Sequence, residues 1–104
     1  MRVIKNKKSI NLKYCNNFFN RFKGFMFSKN INIGLCFPKC NSIHTMFMLR
    51  PIDVIMTDKN YKILYIFKSV KPYRIILPKK DVYYTFEIPT NTFEFKINEK
   101  IKVK

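Results

Sequence analysis

Short runs of alternating apolar and polar residues occupy most of the chain and predict a mainly β fold. The most regular run is 81–88, where every second side chain is apolar, and it predicts a half-buried strand. The runs 52–57 and 61–70 flank the turn residues 58–60 and predict a β-hairpin. Residues 63–67 are apolar at every position, and therefore on both faces of the expected strand, which predicts a central strand covered on both faces.

Further strands are predicted near the two ends of the chain and between its prolines. Residues 3–4 and 10–12 flank a polar segment and predict a short hairpin. Pro38 is expected to interrupt the strand that contains Cys36, because proline cannot donate a ladder hydrogen bond. The remaining predicted strands are 43–48, 73–77, 93–97 and 101–103. Together, about seven or eight short strands predict a compact antiparallel sandwich or barrel.

One stretch, residues 16–26, has helical rather than strand-like spacing. Its apolar side chains fall within an arc of about 120° at helical periodicity, which predicts a short amphipathic helix; they are Phe18, Phe19, Phe22, Phe25 and Met26. Such a stripe packs against a sheet in most proteins, and a helix lying on a membrane surface is the alternative. The fold class is therefore mainly β (α+β), with one helix.

Length and composition set the class of protein. The chain has 104 residues, which fits one domain over 1–104, and 47% are apolar, enough for a real core. With only two glycines it cannot contain a glycine-rich phosphate loop. No apolar export segment follows Met1 and no run of residues is long enough to span a membrane, so a soluble, cytoplasmic protein is expected.

The charge of the chain predicts attraction to polyanions. Lys and Arg number 21 against 6 Asp and Glu, which gives a formal net charge of +15. A bias towards Lys, Asn and Ile is also typical of AT-rich coding sequence, so a purely compositional origin of the lysines stays open. The three cysteines are odd in number, and in a reducing compartment disulfides are not expected.

Several motifs occur in the order seen in one known family. Residues 40–48 read C-N-S-I-H-T-M-F-M and 51–58 read P-I-D-V-I-M-T-D; 21–26, 71–74 and 87–89 read R-F-K-G-F-M, K-P-Y-R and E-I-P. This ordered set resembles the DUF192 (UPF0127) family. The resemblance implies a small, jelly-roll-like β domain with one helix, and it implies no biochemical activity.

Two departures from the family pattern have structural consequences. Leu49 precedes Arg50, which on a strand moves the basic residue to the opposite face. The family's A-G-T turn reads Thr90-Asn91-Thr92, and asparagine tolerates the positive φ that such a turn requires. We therefore expect the turn to be retained.

The cysteines and the single histidine are the first candidates for chemistry. Cys36, Cys40 and His44 recur every four residues, a spacing that suits a zinc site only if the chain bends, and a fourth protein ligand is not evident. Alternatively, Cys40 could act as a nucleophile with His44 as its base, although no triad signature surrounds the pair. A histidine beside small buried thiols, with no metal and no cofactor, is the third interpretation.

Asp53 is the most unusual acidic residue, because it interrupts an apolar strand. Such a residue is costly when buried without partners, so backbone amides or a basic residue such as Arg50 or Arg74 are expected to bind it. The functional hypothesis places Asp53, Cys40, His44 and Arg74 around a small-ligand pocket. Whether these residues form a site or a scaffold is left open.

A second set of candidates would serve polyanion binding. Lys62, Lys68, Lys71 and Arg74 alternate with aromatic residues, as in platforms that stack nucleic-acid bases, although simple strand alternation produces the same pattern. The sequence thus favours a non-enzymatic binding or accessory module with a basic surface and a small-ligand pocket. The alternatives are an electrostatic binder of nucleic acid or anionic membrane, and a small Cys/His-dependent enzyme or metal protein. The oligomeric state is not determined.

Overall fold

The computed structural model describes residues 1–17, 24–26 and 32–104, and within them the chain forms nine β-strands and no helix. The strands are β1 (Arg2–Lys5), β2 (Lys8–Tyr14), β3 (Gly34–Pro38), β4 (Ile43–His44), β5 (Ile52–Thr57), β6 (Ile63–Val70), β7 (Ile75–Ile76), β8 (Tyr84–Pro89) and β9 (Lys102–Val103). A mainly β fold is thereby confirmed. The helix predicted over 16–26 falls largely on 18–23, which lie outside the described residues, and 24–26 form a turn.

Seven of the strands form one sheet in the order β6-β5-β8-β3-β2-β1-β9, and β4 pairs with β7 in a separate two-stranded layer. All neighbours in the large sheet are antiparallel except β2 and β3, which run parallel. The prediction of a wholly antiparallel arrangement is wrong for this pair. Parallel neighbours require a long crossover, and the stretch between Tyr14 and Gly34 is long enough to supply one.

The large sheet curls until its two edge strands approach one another. At one end, the backbone nitrogen of Ile63 donates to the carbonyl of Glu99 at 2.8 Å, and Ile101 donates to Tyr61 at 2.9 Å. These bonds join the start of β6 to the segment that leads into β9. In the part of the chain that is described, the architecture is a curled sheet carrying a two-stranded layer.

Two apolar clusters lie on the two faces of the curled sheet. The inner cluster fills the concave side and comprises Val3, Leu12, Cys36, Ile55, Ile63, Phe86, Ile88, Phe93 and Ile101. The outer cluster lies on the convex side of β3, β5 and β8 and comprises Cys15, Phe25, Leu35, Phe37, Met48, Ile52, Val54, Met56 and Ile76. The β4–β7 layer covers part of the outer cluster, because Ile76 is directed into it and Ile43 packs against it.

Three strands differ in sheet position or in burial from the expectation based on the sequence. Strand β6 was expected in the centre but lies at the sheet edge, whereas β5 is buried at all six positions. Strand β8 was expected to be half-buried, yet its residues 85–88 are all buried, since the inner cluster covers one face of β8 and the outer cluster covers the other. Residues 93–97 were expected to form a strand and do not.

The local turn predictions are confirmed. The β1–β2 and β5–β6 hairpins form as expected, and β3 ends at Pro38. In the second hairpin, the Asp58 carboxylate accepts the backbone N–H of Asn60 at 2.8 Å and of Lys62 at 3.0 Å. Asn91 adopts a φ of 65°, as the turn required. The described residues contain no helix that is long and apolar enough to cross a membrane.

Candidate functional site

Thr45 joins the two sequence motifs that build the β4–β7 layer. Its side chain is 1% exposed, and its hydroxyl donates to the carbonyl of Lys71 at 2.7 Å while accepting the backbone N–H of Arg74 at 2.7 Å. Its own backbone binds Arg74 and Tyr73 at 2.8 and 2.9 Å. One buried hydroxyl therefore holds residues 71–74 beside residues 44–47. Sequence reasoning did not single out Thr45, although its place in the H-T-x-F-M motif marks it.

The outward side of this layer carries an apolar patch, defined here as Phe47, Tyr73, Ile75 and Leu77. Their exposed fractions are 44%, 55%, 67% and 67%, respectively. The rings of Phe47 and Tyr73 meet edge-on with centroids 5.8 Å apart. Because Ile76 is directed into the outer cluster, its neighbours Ile75 and Leu77 face solvent.

Three of the predicted site residues lie at the apolar patch. His44 stands opposite Ile75 in the β4–β7 register, and its Nδ1 accepts the backbone N–H of Met46 at 3.2 Å. Lys71 and Arg74 are exposed beside it, and the Arg74 guanidinium contacts the carbonyl of Tyr73 at 3.4 Å. The structure thus brings His44 and Arg74, both from the pocket hypothesis, together with Lys71 from the polyanion set.

The cysteines are divided between the two apolar clusters. Cys36 belongs to the inner cluster, whereas Cys40 packs on the outer cluster, and the Cys40 thiol contacts the carbonyl of Ser42 at 3.1 Å. Burial raises the pKa of Cys36 to about 12, so its thiol stays protonated at neutral pH. In the part of the chain that is described, no three His, Cys, Asp or Glu side chains lie close enough to hold a metal ion.

Asp53 lies apart from the apolar patch and is held by three donors. One carboxylate oxygen accepts the backbone N–H of Ser69 at 2.8 Å, and the other accepts Lys68 Nζ at 3.0 Å and the N–H of Asn91 at 3.4 Å. The strand register shifts at this point, and Ser69 adopts a φ of 51°. Asp53 therefore caps a bulge between β5 and β6, with backbone amides and a basic residue as expected, and the basic residue is Lys68.

The four lysine and arginine candidates for polyanion binding differ in their surroundings. Lys68 is engaged with Asp53 and, at 3.4 Å, with Glu94. Burial opposes the charge on Lys68, but its bonds to Asp53 and the nearby Glu94 outweigh that effect and raise its pKa. Lys62 lies in a bridge opposite Lys100, so two like charges adjoin there. Lys71 and Arg74 border the apolar patch.

Glu87 is the residue that sequence reasoning missed most completely. In the alternation of β8, Glu87 occupies a position where a polar side chain is expected to face solvent. It is nevertheless 4% exposed, and its Oε1 has no hydrogen-bond partner in the described structure. Burial raises the pKa of Glu87 to about 8, so the carboxyl is mostly protonated at neutral pH. Gly24, with a φ of +48°, approaches so closely that a Cβ there would lie 3.4 Å from Oε1.

Replacing Thr45 tests the junction beneath the apolar patch. Thr45→Val keeps the shape but leaves the Lys71 carbonyl and the Arg74 N–H without their buried partner, so we expect about 2–3 kcal/mol lower free energy of unfolding. Urea denaturation measures this loss. Thr45→Ser, which keeps the hydroxyl, is the matched control and should recover at least half of it. Equal stability of Thr45→Val and the wild type would contradict this role.

Comparisons with known proteins agree on one family. The DUF192 family model, described as "Uncharacterized ACR, COG1430", matches residues 1–104. A UPF0127 protein of Pyrococcus horikoshii is 34% identical over 100 residues, covering 88% of this chain and 85% of that protein. A UPF0127 protein of Thermococcus sibiricus is 34% identical over 90 residues, covering 81% of this chain. The chain spans 50–58% of the length of three Thermococcus relatives.

A solved structure shares the fold at low sequence identity. The crystal structure of "a putative transcription regulator" from Sinorhizobium meliloti 1021 superposes with a TM-score of 0.81 at 15% identity, covering 97% of this chain and 89% of that one. The likeness shows that the curled sheet and its two-stranded layer form a recurring fold. With the whole-chain family match and the archaeal relatives, it leads to one assignment: this chain belongs to the DUF192 (UPF0127) family.

Proposed function

We propose that this protein is a non-enzymatic binding module that attaches to polyanionic partners through its positively charged exterior. One observation carries the proposal: across the described residues no Lys or Arg is buried, whereas Asp53 and Glu87 are. Two of the six acidic residues are therefore withdrawn from the surface. Burial raises the pKa of Glu87 to about 8, so this carboxyl offsets little of the formal net charge of +15 at neutral pH, whereas the Asp53 carboxylate compensates Lys68.

Three of the four remaining acidic residues are engaged locally, and the fourth, Asp81, is exposed. Glu99 binds Lys5 at 3.0 Å, and Glu94 lies 3.4 Å from Lys68. Asp58 is occupied as a turn acceptor. These contacts support the proposal that much of the exterior keeps its positive charge.

The outer face of β9, β1 and β2 illustrates the uncompensated charge. These three strands contain no acidic residue. Ile10 and Leu12 pack into the inner cluster, so Lys13 faces outward; Arg2 and Lys102 share that face by the strand register. A surface of this kind attracts phosphate groups without requiring a particular sequence.

A small-ligand pocket formed by Cys40, His44, Asp53 and Arg74 is the weaker proposal. The donors that surround the Asp53 carboxylate are Ser69, Lys68 and Asn91, and none of them comes from the β4–β7 layer. A cavity of about 220 Å³ is lined by Arg50, Pro51, Pro89 and Thr90, none of which belongs to that set. Its volume is below the several hundred Å³ that ligand sites usually have.

The experiment is a salt series of fluorescence-anisotropy titrations with single- and double-stranded DNA and RNA. We expect a Kd of about 1–100 μM at physiological salt, with log affinity falling linearly against log salt concentration. Lys13→Gln and Lys102→Gln should each reduce the salt slope by about one. Asn11→Gln, on the same face, is the uncharged control. Binding seen only at very low salt would overturn the proposal and indicate that the excess of lysine reflects the composition of the coding sequence.

A further inference from the structure

Among the described residues, the four exposed apolar side chains of the apolar patch lie on or beside the β4–β7 layer. Phe47, Tyr73, Ile75 and Leu77 are each at least 44% exposed. Single exposed apolar residues are common, but a contiguous group on one layer indicates an interaction surface. Folding does not require these side chains to face solvent together, since Ile76 alone anchors β7 in the outer cluster.

The same segment supplies the charge around the patch. Residues 71–80 read K-P-Y-R-I-I-L-P-K-K and contain four basic residues and no acidic one. Lys71 and Arg74 precede the apolar side chains and Lys80 follows them, whereas the Lys79 ammonium lies over two aromatic rings of β6. We call Lys71, Arg74 and Lys80, which are all exposed, the basic rim. An apolar centre with a cationic border matches the interface of an anionic bilayer, where acyl chains lie beneath phosphate and carboxylate groups.

We propose that the apolar patch and the basic rim dock this protein onto the surface of an anionic lipid bilayer. This inference rests on the proposed polyanion-binding function and names its partner. Ile75 and Leu77 enter the boundary between head groups and acyl chains, and Phe47 and Tyr73 lie at head-group depth. The rim binds lipid phosphates, and the overall positive charge brings the protein to the membrane.

Other occupants fit the patch less well. Single-stranded nucleic acid stacks its bases on aromatic rings, and the aliphatic Ile75 and Leu77, the most exposed members, offer no such face. A second copy of the chain would place one basic rim beside another, with a net charge of +15 on each molecule. Anionic lipid satisfies both the apolar centre and the charge.

The test is co-sedimentation with sucrose-loaded vesicles of phosphatidylcholine, alone or with about 30% phosphatidylserine, at physiological salt. The wild type should bind the anionic vesicles at least about tenfold more tightly than the neutral ones. The double variant Ile75→Thr/Leu77→Thr should weaken that binding by about tenfold or more. Ile97→Thr is the matched control, since Ile97 is 51% exposed away from the patch, and it should bind within about twofold of the wild type.

Each other outcome contradicts a different statement. If the double variant binds anionic vesicles as tightly as the wild type, the patch is not the docking surface, although polyanion binding stands. If the wild type binds DNA with a steep salt dependence but binds no vesicles, the lipid partner is wrong and the proposed function stands. If it binds neither at physiological salt, both are wrong. A wild-type dimer that the double variant converts to monomer would assign the patch to self-association.

Discussion

Glu87→Gln is expected to raise the free energy of unfolding at pH 9 by on the order of a few kcal/mol and to flatten its dependence on pH. Glu87 is 4% exposed, and its Oε1 has no hydrogen-bond partner among the described residues. Ionising this carboxyl places an unpaired charge beside Phe37 and the other side chains of the outer cluster. Glutamine has nearly the same shape and carries no charge at any pH.

The direction of the pH effect follows from the pKa of Glu87 in the two states. Its folded pKa is about 8, above the ordinary value of 4.5 that applies to the unfolded chain, so the folded state holds the proton more tightly. Wild-type stability is therefore highest, as far as Glu87 is concerned, below pH 4.5. It falls as the pH rises from 4.5 to about 8, and is constant above that.

Urea denaturation of the wild type and Glu87→Gln at intervals from pH 4 to pH 9 measures this difference. The two proteins should differ by at most about 1 kcal/mol at pH 4 and diverge as the pH rises. Glu94→Gln is the matched control, because the Glu94 side chain is 88% exposed, and its stability should follow that of the wild type. Parallel curves for the wild type and Glu87→Gln would show that Glu87 is ionised in the folded protein.

Asp53→Asn is expected to lower the free energy of unfolding by about 2–4 kcal/mol at neutral pH. The asparagine oxygen can still accept the N–H of Ser69. Its NH₂ group would then face the two donors that now bind the second carboxylate oxygen, Lys68 Nζ and the N–H of Asn91. Three donor groups would then face one another with no acceptor between them. Polar groups are left unsatisfied, and the bulge between β5 and β6 is destabilised.

Thermal and urea denaturation of Asp53→Asn, beside Asp81→Asn as the exposed control, separate a scaffold from a site. Asp81 is exposed, so its substitution should change the stability by less than about 0.5 kcal/mol. A large loss confined to Asp53→Asn would establish that Asp53 holds the bulge. Unchanged stability together with weaker polyanion or vesicle binding would contradict that role and identify Asp53 as part of a binding site.

Local structure was predictable from the sequence because it depends on neighbouring residues. Strand alternation and turn residues correctly predicted the β5–β6 hairpin, the role of Asp58 and the positive φ of Asn91. A bound role for Asp53 was also predictable, because a carboxylate in an apolar strand requires partners. Which donors would bind it was not, since Lys68, Ser69 and Asn91 reach it only through the pairing of distant strands.

Only the tertiary structure decided which surfaces are covered. The two-residue repeat of a strand predicts which side chains share a face, but it does not predict whether a second layer covers that face. Glu87 alternates with apolar residues, as an exposed residue of a strand does, but it is buried because the outer cluster covers β8. Ile75 lies in an apolar run and is exposed because nothing among the described residues covers the β4–β7 layer there. The sequence by itself determined the family, the mainly β class and the charge; the order in which distant strands pair determined which acid is buried and which apolar residues meet solvent.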